Sequence, residues 1–130
     1  MKNTGVWHLR DKYMNTLSSG ERERVLIARA AITDPGLLLL DEASTALDFP
    51  SRAKLRDIIS TYAQRGKTII MVTHELSEII KEIDRVVVMK EGAMVADGPK
   101  EEILTEELLS DVYGHKIFID KRDGLYNAWC

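Results

Sequence analysis

The chain has 130 residues, 45% of them hydrophobic and 30% charged, and a formal net charge of −3. This length and composition predict one globular domain, and the slightly negative charge gives no general electrostatic reason to expect a nucleic-acid or anionic-lipid partner. No apolar run approaches the roughly 18 residues that span a bilayer, and the polar start of the chain is unlike a signal peptide, so the sequence predicts a cytosolic protein. The single cysteine, Cys130, has no partner for a disulfide or a cysteine metal site.

The first part of the chain alternates helical and strand patterns with short connections. The predicted elements are a helix over 20–33, a strand over 37–40, a helix over 51–65, a strand over 68–72, a helix over 75–83 and a strand over 85–89. The strands over 37–40 and 68–72 are almost continuously apolar, as expected for strands that are covered on both faces. This alternation predicts an α/β fold with a mostly parallel sheet, in which ligands bind at the carboxyl ends of the strands.

The pattern changes beyond residue 90, where Lys90-Glu91-Gly92-Ala93 predicts a hairpin turn that leads to a short strand over 94–96. Asp97-Gly98-Pro99 then interrupts the chain. We therefore divide the sequence into a main part, 1–98, and a C-terminal appendage, 99–130. The appendage is predicted to contain two short helices, the second capped by Thr105, and a hairpin across residues 121–124.

Two adjacent carboxylates, Asp41 and Glu42, follow the run of four leucines at 37–40. One interpretation is a solvated acidic pair that starts a loop. The other is chemical, because a strand that delivers two acids to its carboxyl end can hold Mg²⁺ with one and orient or deprotonate an attacking water with the other.

The segment Ser18-Ser19-Gly20-Glu21 also has two interpretations. It fits the S-x-x-E capping box of an ordinary helix start. The backbone N–H groups and the Ser18 hydroxyl at such a helix start can equally bind phosphate oxygens. The two interpretations are compatible.

His74 and Asp48 complete the set of candidate residues. His74 follows the predicted strand over 68–72, where an imidazole can donate to a phosphate oxygen as charge develops, although a lone histidine is more often structural. Asp48 could cap the following helix. The second histidine of a zinc-hydrolase H-E-x-x-H motif is missing after His74, and His8 and His115 are expected to be surface or packing residues.

Taken in order, four segments resemble the signature, Walker B, D-loop and H-loop of the ATP-binding-cassette (ABC) ATPases. They are 17–21, 37–42, 44–48 and 72–74, and the resemblance covers about residues 17–98. It implies that Asp41 holds Mg²⁺, that Glu42 activates water and that His74 contacts the γ-phosphate. It also implies that Ser18, Ser19, Gly20, Glu21 and Asp48 contact ATP or couple the two sites of a nucleotide-sandwich dimer.

A Walker A loop, G-x-x-x-x-G-K-[ST], is missing from the sequence. Gly66-Lys67-Thr68 does not fulfil this role, because Thr61 stands where the first glycine is required and the triplet joins a helix to a strand. The resemblance implies that the P-loop and Q-loop would lie upstream of Met1. We therefore expect a C-terminal part of the ATPase domain, with negligible activity by itself.

The resemblance implies an ATP-hydrolysing subunit of a transporter, most similar to importers of iron-chelate, haem, cobalamin or molybdate-type substrates. Its expected partners are a second ATPase subunit and transmembrane permease subunits, which would hold it on the inner face of the membrane. One alternative is a soluble ABC-type ATPase of DNA repair, chromosome organisation or translation, although the sequence has no heptad arms, zinc-binding cysteines or basic extensions. A second alternative is a non-catalytic module that pairs with intact subunits through residues 18–21 and 48.

Overall fold

The computed structural model describes residues 6–32, 34–45 and 47–130. Thr33 and Ala46, which belong to the predicted first helix and to the D-loop-like segment, lie outside the described residues, as does the polar start of the chain. By contacts the chain divides into two units, Met1–His74 and Glu75–Cys130, and each is described by itself. The sequence-based division after residue 98 stays a prediction.

The first unit contains two helices and one pair of strands. In chain order they are α1 (Ser19–Ile32), β1 (Leu37–Asp41), α2 (Phe49–Gln64) and β2 (Thr68–Val72). The two strands are parallel and in register from Leu37↔Thr68 to Asp41↔Val72. The predicted βαβ unit is therefore confirmed for these elements.

Local sequence signals explain where these elements begin and end. The side chain of Asp48 caps α2 by accepting a hydrogen bond of 3.0 Å from the Ser51 N–H. After α2, Gly66 has a φ of +76°, a conformation that glycine adopts without strain. Lys67 Nζ donates a hydrogen bond of 2.8 Å to Asp34 Oδ2. This bond links the turn before β2 to the turn before β1. Gly66-Lys67-Thr68 thus joins a helix to a strand, as predicted.

The two faces of the β1–β2 pair differ in burial. Leu38 and Leu40 are buried, and α2 packs against β2. The other side of the pair exposes Leu37, Leu39, Ile70 and Val72. The prediction that both strands are covered on both faces is therefore wrong for the part of the chain that the structure describes, in which only one face of the pair is covered.

The second unit contains two antiparallel hairpins and two short helices. They are β3 (Arg85–Lys90), β4 (Ala93–Pro99), α3 (Lys100–Ile103), α4 (Glu106–Tyr113), β5 (Phe118–Arg122) and β6 (Leu125–Trp129). Its core is the cluster Ile79, Leu104, Leu109 and Tyr126. The Thr105 side chain caps α4, as predicted. The hairpins predicted across 90–93 and 121–124 are confirmed by the β3–β4 and β5–β6 pairs. The helix predicted over 75–83 is wrong, because these residues form only a short 3-10 turn, Leu76–Glu78, and among the described strands β3 pairs only with β4 and joins no parallel sheet.

The short 3-10 turn has a physical explanation in the burial of the segment. Its apolar residues, Leu76, Ile79, Ile80 and Ile83, have the i, i+3, i+4, i+7 spacing of a helix, and Ile79 and Ile80 are both buried. Ile79 belongs to the core cluster of the second unit. Packing of these side chains outweighs the weak helical preference of so short a segment.

Candidate functional site at the carboxyl ends of β1 and β2

The parallel pairing of β1 and β2 brings Glu42 and His74 together. The Glu42 N–H donates to the Val72 carbonyl at 2.9 Å, which extends the ladder one residue beyond β1. Two residues after Val72, the His74 Nδ1 atom lies 3.4 Å from Oε1 of Glu42. Both side chains are open to solvent, at 61% and 50% exposure for His74 and Glu42 respectively. An acid and an imidazole thus share one accessible point at the strand ends.

The backbone of Glu42 adopts a left-handed conformation, with φ at +46°. Side chains other than glycine, asparagine and aspartate rarely take this conformation because the Cβ atom crowds the backbone. The turn after it is held by N–H groups of Thr45 and Leu47, which donate to the carbonyls of Glu42 and Ser44. The carboxylate is therefore directed by a constrained turn at the end of β1.

Asp41 is the last residue of β1 and lies opposite Val72 in the register. Its side chain is exposed and follows Leu37 and Leu39 along one face of the strand. Within 6–32, 34–45 and 47–130, no three histidine, cysteine, aspartate or glutamate side chains cluster as a metal site. A single exposed carboxylate still suits Mg²⁺, because that ion usually keeps several waters and takes one or two carboxylates together with phosphate oxygens.

The segment Ser18–Glu21 forms the capping box predicted from its sequence. The Ser18 N–H donates to Glu21 Oε2 at 2.9 Å, and the Glu21 N–H donates to Ser18 Oγ at 3.2 Å. Hydrogen bonds from the Ser18 N–H and the Ser18 side chain to the carboxylate, with a weaker contribution from Lys12, lower the pKa of Glu21 below its ordinary value. Glu21 is thus committed to its own helix, and the Ser18 hydroxyl accepts a hydrogen bond from the Glu21 N–H within the same box.

The start of α1 also contacts the start of α2. A Cβ atom on Gly20 would lie 3.4 Å from Ser51 Oγ and 3.6 Å from Leu47 Cδ2. Arg24 donates from Nη1 to the same Ser51 oxygen at 3.2 Å. The structure therefore joins two segments that the sequence had suggested separately, the signature-like and D-loop-like segments.

Asp48 lies at this junction as the N-cap of α2. Hydrogen bonds from the Ser51 hydroxyl and N–H lower the pKa of the Asp48 carboxyl, and the charges of Arg24 and Lys54 act in the same direction. Sequence reasoning missed Arg24 because an arginine on a helix has no signal of its own in a single sequence.

The candidate residues therefore form two groups. One group contains Glu42 and His74 with Asp41 beside them, and the other contains Ser18, Glu21 and Asp48 around the starts of α1 and α2. Ser19 and Gly20, the remaining candidates, lie in the first turn of α1. The catalytic and binding roles of all eight residues stay predictions.

Comparison with known proteins gives one consistent family. The family model described as "ABC transporter" matches residues 1–45. The uncharacterized ABC transporter ATP-binding protein YlmA of Bacillus subtilis is 38% identical over 121 residues, covering 92% of this chain and 46% of YlmA. The ferric enterobactin transport ATP-binding protein FepC of Escherichia coli is 34% identical over 120 residues, covering 92% of this chain and 44% of FepC.

The fold gives the same result. An ABC transporter described as metal-chelate type, solved in an inward-facing conformation, superposes with a TM-score of 0.82 at 22% identity. That match covers 98% of this chain and 51% of the solved one. The chain adopts the fold of an ABC ATPase domain in part, and its sequence is similar over 92% of its length to ATP-binding proteins of ABC transporters. It spans about half the length of the curated relatives that it matches.

Proposed function

We propose that this chain forms the C-terminal half of the ATP-hydrolysing subunit of an ABC transporter, of the importer type. The observation that carries the proposal is the 3.4 Å approach of His74 Nδ1 to Glu42 Oε1 at the carboxyl ends of two parallel strands. ATP and Mg²⁺ are the ligands of the intact protein, and a second ATPase subunit and permease subunits are its partners. The permeases hold it against the inner face of the membrane.

In this proposal each residue at the strand ends has one task. Asp41 holds Mg²⁺, usually through water, and thereby helps to neutralise the phosphates. Glu42 accepts or orients the proton of the attacking water. His74 donates a hydrogen bond to the γ-phosphate as its charge increases, and the neighbouring Glu42 helps to fix the imidazole.

The second group of residues binds the nucleotide of the opposite subunit. The Ser18 hydroxyl and the first turn of α1 face its γ-phosphate, where the positive end of the helix favours an anion. Ser19 and Gly20 lie in this turn and let the backbone approach closely. Asp48 couples the two sites across the interface through the start of α2. Glu21, held in the capping box, supports this turn.

The test uses a FepC hybrid, in which this chain replaces the 120-residue match in FepC. We expect the hybrid to hydrolyse ATP and to support uptake of ferric enterobactin. Glu42→Gln should lower ATP turnover by a factor on the order of 10² to 10⁴, the usual contribution of a general base, while nucleotide is still retained. The matched control is Glu107→Gln, an exposed glutamate on α4, which should leave turnover unchanged.

Unchanged turnover in Glu42→Gln would remove Glu42 from the mechanism. Hydrolysis that responds to added nucleic acid but supports no uptake would instead favour a soluble ABC-type ATPase.

None of the helices within the described residues has the length and apolar character that a membrane crossing requires.

A further inference from the structure

A buried hydroxyl lies between the start of α1 and the start of α2. Ser51 is only 5% exposed, and its oxygen accepts a hydrogen bond of 3.2 Å from Arg24 Nη1, 27 residues earlier in the chain. The same residue bonds Asp48 twice, since its N–H donates to Asp48 Oδ1 at 3.0 Å and its hydroxyl donates to the Asp48 carboxylate. Ser51 is therefore the point at which Arg24 on α1 meets the cap of α2.

The chemistry of the three groups fixes the direction of these hydrogen bonds. A guanidinium has only donors and an ionised carboxylate only accepts, so the Ser51 oxygen accepts from Arg24 and gives its single proton to Asp48. The two Ser51 hydrogen bonds lower the pKa of the Asp48 carboxyl most, and the positive charges of Arg24 and Lys54 lower it further. Arg24 thus occupies a lone pair of Ser51 and leaves the hydroxyl proton for the cap.

Arg24 shares this contact with the turn of α1 that is proposed to meet phosphate. Gly20 lies four residues before Arg24, on the same face of the helix, and a Cβ atom there would lie 3.4 Å from the same Ser51 oxygen. The absence of a Cβ atom lets the first turn of α1 approach the start of α2 closely. A shift of Ser18 and Gly20 toward a bound phosphate therefore reaches Asp48 through one buried oxygen, which Arg24 holds in place.

The residue before Asp48 is also held. Leu47 is buried, and its carbonyl accepts a hydrogen bond of 3.1 Å from Arg52 Nε. Its Cδ2 atom lies 3.6 Å from the position of a Cβ atom on Gly20. Because the segment is fixed on both sides of Asp48, it transmits a shift of α1 instead of absorbing it.

We propose that Arg24 is a positioning residue, which orients the Ser51 hydroxyl toward Asp48 and thereby makes the first turn of α1 and the cap of α2 move together when nucleotide binds. In this role Arg24 acts through Ser51 and not on the nucleotide. The link carries the presence of nucleotide at Ser18 of one subunit to Asp48, and Asp48 carries it to the second site of the dimer. The inference rests on the proposed function and adds to it a device for cooperative hydrolysis.

The first measurement needs no nucleotide and uses the 130-residue chain. NMR titration of the Asp48 side-chain carboxyl compares the parent with Arg24→Met, which keeps an apolar stem but has no donor and no charge. We expect the Asp48 pKa to be raised in Arg24→Met and to be restored in part by Arg24→Lys, which keeps the charge and a donor. Arg29→Met is the matched control, because Arg29 is exposed in the last turn of the same helix, and it should leave the Asp48 pKa unchanged.

The second measurement is the ATP dependence of hydrolysis by the FepC hybrid. The parent hybrid should hydrolyse ATP cooperatively, with a Hill coefficient above one, because its two sites are coupled. Arg24→Met should lower the Hill coefficient toward one, whereas Arg24→Lys should restore it in part and Arg29→Met should leave it unchanged. A purely structural role would lower the amount of active protein, and hence the maximal rate, without changing the Hill coefficient. Adding Arg24→Met to Ser51→Ala should lower the coefficient no further than Ser51→Ala alone.

An unchanged Asp48 pKa in folded Arg24→Met would overturn the proposal, and Ser51→Ala provides the same comparison if Arg24→Met does not fold. A raised pKa with an unchanged Hill coefficient in an active hybrid would also overturn it, as would hydrolysis by the parent hybrid that is not cooperative. A raised pKa in the chain together with a hybrid that hydrolyses no ATP would support the link from Arg24 to Asp48 and refute the proposed function.

Discussion

His74 Nδ1 lies 3.4 Å from Glu42 Oε1, although 32 residues separate them in the chain. The contact follows from the register of β1 and β2, since the Glu42 N–H donates to Val72 and His74 comes two residues later. Neither side chain is buried. Their association therefore depends on the strands that position them and not on a surrounding core.

If Glu42 and His74 act as a unit, their substitutions should not be additive in the FepC hybrid. His74→Ala should lower turnover by a factor on the order of 10² to 10³, as expected when one donor to a developing charge is removed. The double variant with Glu42→Gln should lose much less than the product of the two single losses. Steady-state ATPase rates for the four proteins of the cycle measure this, and strictly multiplicative losses would show that the two residues act independently.

Substitution of Gly20 by alanine distinguishes the capping interpretation of the signature-like segment from the phosphate-binding interpretation. Gly20→Ala places a methyl group 3.4 Å from Ser51 Oγ, which is ordinary contact, and alanine is the better helix former by about 1 kcal/mol. The free energy of unfolding should therefore stay the same or increase. ATP hydrolysis by the hybrid should fall at least tenfold, because the methyl group obstructs close approach of a phosphate.

Urea denaturation and ATPase assays on Gly20→Ala and Gly36→Ala give this comparison. Gly36 is the control because a Cβ atom there meets nothing within 4 Å. Full ATPase activity in Gly20→Ala would leave the capping box as the sole role of the segment.

Asp48 predicts a pH dependence of stability. Its folded-state pKa is lowered from 3.8 by the Ser51 hydrogen bonds, so the charged cap stabilises the folded state above pH 3.8. This stabilisation is lost as the pH falls through the lowered folded-state pKa. Asp48→Asn keeps a capping oxygen but does not titrate, so its urea midpoint should fall less than that of the parent chain below pH 3.8. If the urea midpoints of the two proteins fall equally as the pH is lowered, the stabilising role of the charged Asp48 cap is contradicted.

Gly92 and Gly124 occupy equivalent positions in the turns of two hairpins. Alanine substitutions at the two positions distinguish the cost of backbone strain from the cost of a steric contact. Gly92 and Gly124 have φ values of +78° and +79°, but a Cβ atom on Gly124 would lie 3.1 Å from Lys81 Cβ, whereas one on Gly92 meets nothing within 4 Å. Gly92→Ala should lose about 1–2 kcal/mol of unfolding free energy from the left-handed backbone alone. Gly124→Ala should lose more, and thermal or urea denaturation of both variants measures the difference.

Sequence reasoning predicted the first unit well because its signals are local. The capping box at Ser18, the Asp48 cap and the glycine after α2 each fix an element boundary through neighbouring residues. The approach of Glu42 to His74 was also predictable, because parallel strands bring their carboxyl ends to one edge. The contact of Gly20 and Arg24 with Ser51 was not, since nothing in the sequence relates two helix starts about 30 residues apart.

The turn residues of the second unit predicted both of its hairpins. The apolar run in β3 resembles the two preceding strands, and its antiparallel partner is set by the two-residue turn at Glu91 and Gly92, both with positive φ. This turn favours a hairpin over a crossover. The exposure of Leu37, Leu39, Ile70 and Val72 could not be predicted, because an apolar strand sequence favours two covered faces but does not show whether the same chain supplies the cover.

The left-handed backbone of Glu42 has a practical consequence for engineering. At a φ of +46° the backbone of glycine or asparagine is less strained than that of glutamate. A screen that selects only for a higher melting temperature is therefore expected to yield Glu42→Gly or Glu42→Asn. Such variants would melt at higher temperature and lose the carboxylate that is proposed to act as the general base. Screens for more thermostable variants of this protein should therefore exclude substitutions at position 42.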